Sequence, residues 1–109
     1  METISFDDFK KACMRIGEVM EAEKIPETDK LLKLRVNFGD EERTIVSGIA
    51  PYVDPAALIG RRLPFVLNIP PRMIKGHESN GMILAAMSPD GEFSLLTLER
   101  NLPPGSEVR

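Results

Sequence analysis

The chain has 109 residues, of which 42% are apolar and 28% charged, and its formal net charge is −3. That length and balance predict one globular domain with its own core, and they exclude a disordered chain. A single cysteine, Cys13, and a single histidine, His77, exclude a disulfide framework and the usual metal clusters.

No apolar run approaches the ~18 residues of a membrane helix. The opening Met1-Glu2-Thr3-Ile4-Ser5-Phe6-Asp7-Asp8 is polar and acidic, unlike a signal peptide. Ser5 followed three residues later by Asp8 has the form of a capping box, and Phe6, Phe9 and Cys13 lie near helical spacing. A short helix is expected from Phe6 to about Ala12. Met14 to Glu23 alternates loosely as a first strand, with Gly17 read as a bulge or a sharp barrel bend. Residues 25–29 form a loop.

Leu32, Leu34, Val36 and Phe38 alternate with Lys33, Arg35 and Asn37, the clearest half-buried strand in the chain. A turn at 39–42 leads to a third strand, Arg43 to Ser47. Asp54-Pro55 opens a short helix, with Asp at the N-cap and Pro at the first helical position, and Gly60 ends it. Leu63 to Ile69 reads as a fourth strand. Pro70-Pro71 through Asn80 reads as a loop, because paired prolines forbid a central strand. Gly81 to Met87 follows as a fifth strand, and Phe93 to Thr97 as a sixth after the turn at Pro89-Asp90-Gly91. The tail Leu102-Pro103-Pro104-Gly105 is expected to be irregular. Three strands, a helix and two strands is the order of a five-stranded oligonucleotide/oligosaccharide-binding (OB) barrel. The expected fold is therefore all-β. The barrel carries a short helix in front, a helix between strands three and four, and a C-terminal hairpin or arm.

Catalytic motifs are absent: there is no glycine-rich phosphate loop, no GxSxG and no HExxH. Cys13 has no histidine near it in sequence and reads as a buried structural thiol. The many acidic residues fit a solvated face. Charge is unevenly spread. Residues 61–80 carry Arg61, Arg62, Arg72 and Lys75 against Glu78 alone, whereas the first thirty residues are acidic. Residues 68–86 combine phosphate-directed cations (Arg72, Lys75), hydrogen-bonding groups (Asn68, Ser79, Asn80) and flat apolar groups (Met73, Met82). RNA recognition uses this mixture. Taken alone, the residues leave open a surface loop facing water, with Arg72 paired to Glu78 and Met82 in the core.

The run Asn68-Ile69-Pro70-Pro71-Arg72-Met73-Ile74-Lys75-Gly76-His77-Glu78-Ser79-Asn80-Gly81-Met82-Ile83-Leu84-Ala85-Ala86 resembles the signature of the tRNA-binding domain family. That family includes the C-terminal domain of methionyl-tRNA synthetases, stand-alone tRNA-binding proteins and secretion-chaperone-like proteins. The likeness extends along the chain, through Phe6-Asp7-Asp8-Phe9, Arg15-Ile16-Gly17-Glu18-Val19, Pro26-Glu27-Thr28-Asp29-Lys30-Leu31, Arg43-Thr44-Ile45-Val46-Ser47-Gly48-Ile49-Ala50 and the closing Pro103-Pro104-Gly105. It departs at Cys13, Ile25, Thr28 and Asn37, where the family often has Asp, His, Ala and Asp.

The resemblance implies a single domain over 1–109 that binds tRNA by shape without catalysing a reaction. It would act alone or as a β subunit or C-terminal module of methionyl-tRNA synthetase. Carried over by position, Asn68, Arg72, Ser79 and Met82 would touch RNA, with Lys30 and Lys75 as secondary contacts. Residues 1–13 and 88–109 would be dimerisation extensions, with Phe6, Phe9, Leu102 and Pro103 at a homodimer interface. The synthetase catalytic chain is a further expected partner. No cofactor, metal, membrane or DNA is expected, and the setting is cytoplasmic. Two rival roles share the fold: a peptide-binding, secretion-related chaperone, and a docking module of a synthetase complex.

Overall fold

The computed structural model describes residues 1–109. Helix α1 (Phe6–Lys10) is a single capped segment. Ser5 Oγ accepts the Asp8 N–H at 3.0 Å, and no residue of the helix is buried. Strands β1 (Met14–Lys24), β2 (Leu32–Asn37) and β3 (Glu42–Ser47) form an antiparallel meander. Helix α2 (Pro55–Leu58) is capped by Asp54, whose Oδ1 accepts the Ala56 N–H at 3.0 Å, and it carries Leu58 into the core. Strand β4 (Arg62–Val66) returns antiparallel to the first half of β1, and β7 (Met82–Ile83) pairs with β4. The sheet order β3-β2-β1-β4-β7, with a helix between the third and fourth strands, is that of the expected OB barrel. None of the helices is long and apolar enough to cross a membrane.

Alternation along β2 puts Leu32, Leu34 and Val36 inside. They join Val19, Ile45, Leu58, Leu63, Phe65 and Ile83 in one cluster. Phe38 and Phe65 meet edge to face within it, with ring centroids 5.4 Å apart. The sheet curls until its ends meet. The Asn80 N–H donates to the Thr44 carbonyl at 2.9 Å, and buried Ser79 Oγ accepts the Val46 N–H at 2.9 Å. Of the bulge or sharp bend expected at Gly17, the bulge lies elsewhere, since the β1–β2 register shifts between Val19 and Glu21. Gly17 answers to packing. A Cβ there would lie 2.4 Å from Val36 Cγ1 and 2.5 Å from Phe38 Cε1.

Four further segments differ from the sequence expectation. The loop at 70–80 contains a hairpin, β5 (Arg72–Ile74) against β6 (His77–Ser79). Pro70 and Pro71 bar a strand at their own positions only. Lys75 (φ 50°) and Gly76 (φ 81°) then supply the two left-handed residues of a tight primed turn. The fifth strand breaks at Leu84, with β7 pairing to β4 and β8 (Ala85–Met87) leaving to pair with β9 (Phe93–Leu95). Helix α1 stops at Lys10, short of Ala12. The C-terminal tail is paired: Arg15 bridges to Glu107, the Gly105 N–H donates to the Ile16 carbonyl (2.7 Å), and the Val108 N–H donates to the Met14 carbonyl (2.9 Å). β2 pairs with β1 only from Glu18 onward, which leaves this edge of β1 free for the tail.

Candidate nucleic-acid interface

An OB barrel presents the outer face of its second and third strands, together with the loops after strands one and four, to a nucleic acid strand. In this chain those parts are β2–β3, residues 25–31, and the insert from Leu67 to Gly81 that carries the β5–β6 hairpin. The insert is fixed at its base. One nitrogen of Arg43, Nη1, donates to the carbonyls of Leu67 (2.8 Å) and Asn80 (3.2 Å), the two ends of the insert. Glu41 holds the same guanidinium through Nε at 2.8 Å, and that hydrogen bond keeps the Glu41 carboxyl below the ordinary glutamate range. Two guanidinium–carbonyl bonds at one nitrogen fix where the hairpin leaves the barrel.

Arg72 and Lys75 project from this anchored hairpin, exposed and without an ion-pair partner. The pairing of Arg72 with Glu78 does not occur. In the hairpin register Arg72 faces Ser79, and Glu78 faces Met73 on the opposite side. Met73 is 68% exposed. Lys30 is exposed on the loop after β1, and its carbonyl accepts the Ala50 N–H at 3.1 Å, joining that loop to the segment after β3.

Three other candidates are placed differently. Ser79 is buried, and its hydroxyl is committed to the barrel seam with Val46 and Gly81. Asn68 accepts the Cys13 N–H at 2.7 Å and donates to the Lys11 carbonyl at 2.5 Å, so its amide ties the end of α1 to the barrel. Met82 is 47% exposed and pairs with Val66, which pairs with Met14 on its other side. This outward apolar row runs into a groove of about 290 Å³ lined by Phe6, Phe9, Met14 and Val108. Phe6 is 72% exposed, and Phe9, Leu102 and Pro103 are also exposed. Leu102 is held by its own chain, since its carbonyl accepts from Arg62 Nη1 at 3.1 Å. Arg62 is further tied to Glu18 at 2.9 Å, which removes it from the set of free cations.

Residue type alone does not mark the strand face. The outer surface of β1–β3 holds a depression lined by Glu21, Glu23, Lys33, Arg35 and Thr44. Arg35 bonds both Glu21 (3.0 Å) and Glu42, and these bonds raise its pKa above the ordinary arginine value while lowering that of Glu21. A cation so compensated adds little attraction for phosphate. Lys33, which faces Val46 across the β2–β3 register beside the hairpin seam, forms no ion pair. The alternation of β2 was the available signal for Lys33. Nothing local marked Arg43, whose partners lie 24 and 37 residues away.

A family model described as "Putative tRNA binding domain" matches residues 14–107. The methionine–tRNA ligase of Parabacteroides distasonis is 48% identical over 108 residues, covering 99% of this chain and 16% of the ligase. The chain thus spans about one sixth of that relative's length. Two crystal structures share the architecture throughout. A MetRS-related protein from Pyrococcus horikoshii superposes with a TM-score of 0.96 at 44% identity, with both chains fully covered. The chaperone CsaA from Bacillus anthracis superposes with a TM-score of 0.89 at 28% identity, covering 99% of this chain and all of the other.

Proposed function

Because this chain belongs to the tRNA-binding domain family, we propose that it binds tRNA by shape, through the β5–β6 hairpin and its flanking loops, and catalyses no step itself. The observation that carries this reading is the pair Arg72 and Lys75: free cations on a hairpin whose base is fixed by Arg43 and Ser79. A fixed hairpin loses little conformational freedom on binding, so its charge–phosphate contacts are not offset by ordering. The net charge of −3 opposes long-range steering, but local contacts depend on local charge.

The domain serves either alone or alongside a methionyl-tRNA synthetase catalytic chain, and in the second case aminoacylation belongs to that partner. Two copies pair through Phe6, Phe9, Leu102 and Pro103. The same groove beside Phe6 and Phe9 favours one rival reading, a peptide-binding chaperone, in keeping with the likeness to CsaA.

Titration with unfractionated tRNA, duplex DNA and an unfolded peptide over a salt series separates the readings. Counting one phosphate contact each for Lys30, Arg72 and Lys75, log affinity for tRNA should fall against log salt with a slope of about −2 to −3 per protomer. Salt-independent peptide binding without tRNA binding would favour the chaperone.

A further inference from the structure

Tyr52 is the only tyrosine, and the chain has no tryptophan. Its ring stacks on Phe93 with centroids 4.7 Å apart and planes at 11°, yet the residue remains 51% exposed. Both partners are held by backbone bonds. The Tyr52 N–H donates to the Ile49 carbonyl at 3.0 Å, and Phe93 faces Met87 across the β8–β9 hairpin. Phe93 is partly buried and packs against the core cluster, whereas Tyr52 is exposed.

One side of Tyr52 borders a depression shared with Phe93 and Arg61. A second depression, which Phe93 does not reach, is lined by Tyr52, Lys24, Pro51 and Asp54. Lys24 and Arg61 form no ion pairs, and Asp54 Oδ1 is occupied in capping α2. The contact between the Ala50 N–H and the Lys30 carbonyl brings this segment against the loop that carries Lys30.

We propose that the open face of Tyr52 is a stacking platform for one unpaired nucleobase of bound RNA, with Lys24 and Arg61 placed for the adjoining phosphates. The proposal rests on the reading of the chain as an RNA binder. An aromatic ring held flat by a second ring, half exposed and bordered by free cations, supplies both halves of single-strand recognition: a π surface for the base and charge for the backbone. Stacking asks for no particular base, which suits recognition by shape.

The test uses the intact protein with 3-fluorotyrosine incorporated, which places a single fluorine probe on Tyr52. Unfractionated tRNA should shift the one ¹⁹F resonance, saturating at the concentration that saturates binding measured by filter retention. Tyr52→Leu should weaken tRNA binding roughly five-fold or more, and Tyr52→Phe should stay within about two-fold of the unsubstituted protein. If tRNA binds while the resonance does not move and Tyr52→Leu binds normally, the platform is wrong and RNA binding stands. If the unsubstituted protein binds no tRNA, both fail. The fluorine shift needs no substitution, so it decides the matter even where the leucine variant folds poorly.

Discussion

The hydroxyl of Ser79 accepts the backbone N–H of Val46 at 2.9 Å, joining β6 to β3 across 33 residues of sequence. The bond is buried, so removing the hydroxyl strands a backbone donor away from water. Ser79→Ala should therefore cost about 1–3 kcal/mol of stability, read by urea denaturation. A residue that only touched RNA would show the opposite pattern, with affinity lost and stability unchanged.

Gly17 sits where β1 crosses Val36 and Phe38, with no room for a Cβ. Gly17→Ala should destabilise the fold by ~1–3 kcal/mol through overpacking. A neutral alanine would mean that the two side chains can retreat from the position that a Cβ would occupy.

The Gly17 position shows what the sequence alone could and could not convey. The sequence reads Gly17 as a bulge or a sharp bend, and only the facing strand shows that a close approach to Val36 and Phe38 requires it. Alternation made β2 legible, and the Asp54-Pro55 pair made α2 legible, because those signals are local. The β5–β6 hairpin was hidden by Pro70 and Pro71, since the turn that makes it depends on a left-handed Lys75. For the candidate site, what can be compared is exposure and hydrogen bonding. Arg72, Lys75 and Lys30 are exposed, as the charge of their side chains leads one to expect. Ser79 and Asn68 carry polar groups that the fold uses internally, at partners 33 and 55 residues away.

The Arg35 guanidinium, by hydrogen bond and then by charge, holds the Glu21 carboxyl below its ordinary 4.5. A depressed carboxylate contributes stability above its ordinary pKa and loses it as pH falls through the folded value. The Glu21 side chain is largely exposed and that of Arg35 partly so, so the contribution is small and screened by salt. A carbon-detected titration of Glu21 should show a midpoint below 4.5, and Arg35→Met should bring it back up. Identical midpoints in the two proteins would contradict the pairing.

Phe6, Phe9, Leu102 and Pro103 leave apolar surface on one chain that a second copy would cover. Light scattering at micromolar concentration should give about twice the 12.1 kDa chain mass. Phe6→Ser combined with Phe9→Ser should return it to one chain. A single-chain mass in the unsubstituted protein would remove the interface.

The measurement that bears most directly on tRNA binding by the anchored hairpin is the affinity of Arg72→Ala for tRNA. The side chain is exposed and makes no ion pair, so trimming it should leave the melting temperature unchanged. Affinity should fall by about 1.5–3 kcal/mol, the range for a hydrogen bond to a charged group. Arg72→Lys should recover only part of it, because lysine lacks the planar fork. Arg100→Ala, exposed and outside the insert, serves as the control and should bind as the unsubstituted protein does. Unchanged affinity in Arg72→Ala, or an equal loss in Arg100→Ala, would contradict a binding site on the hairpin.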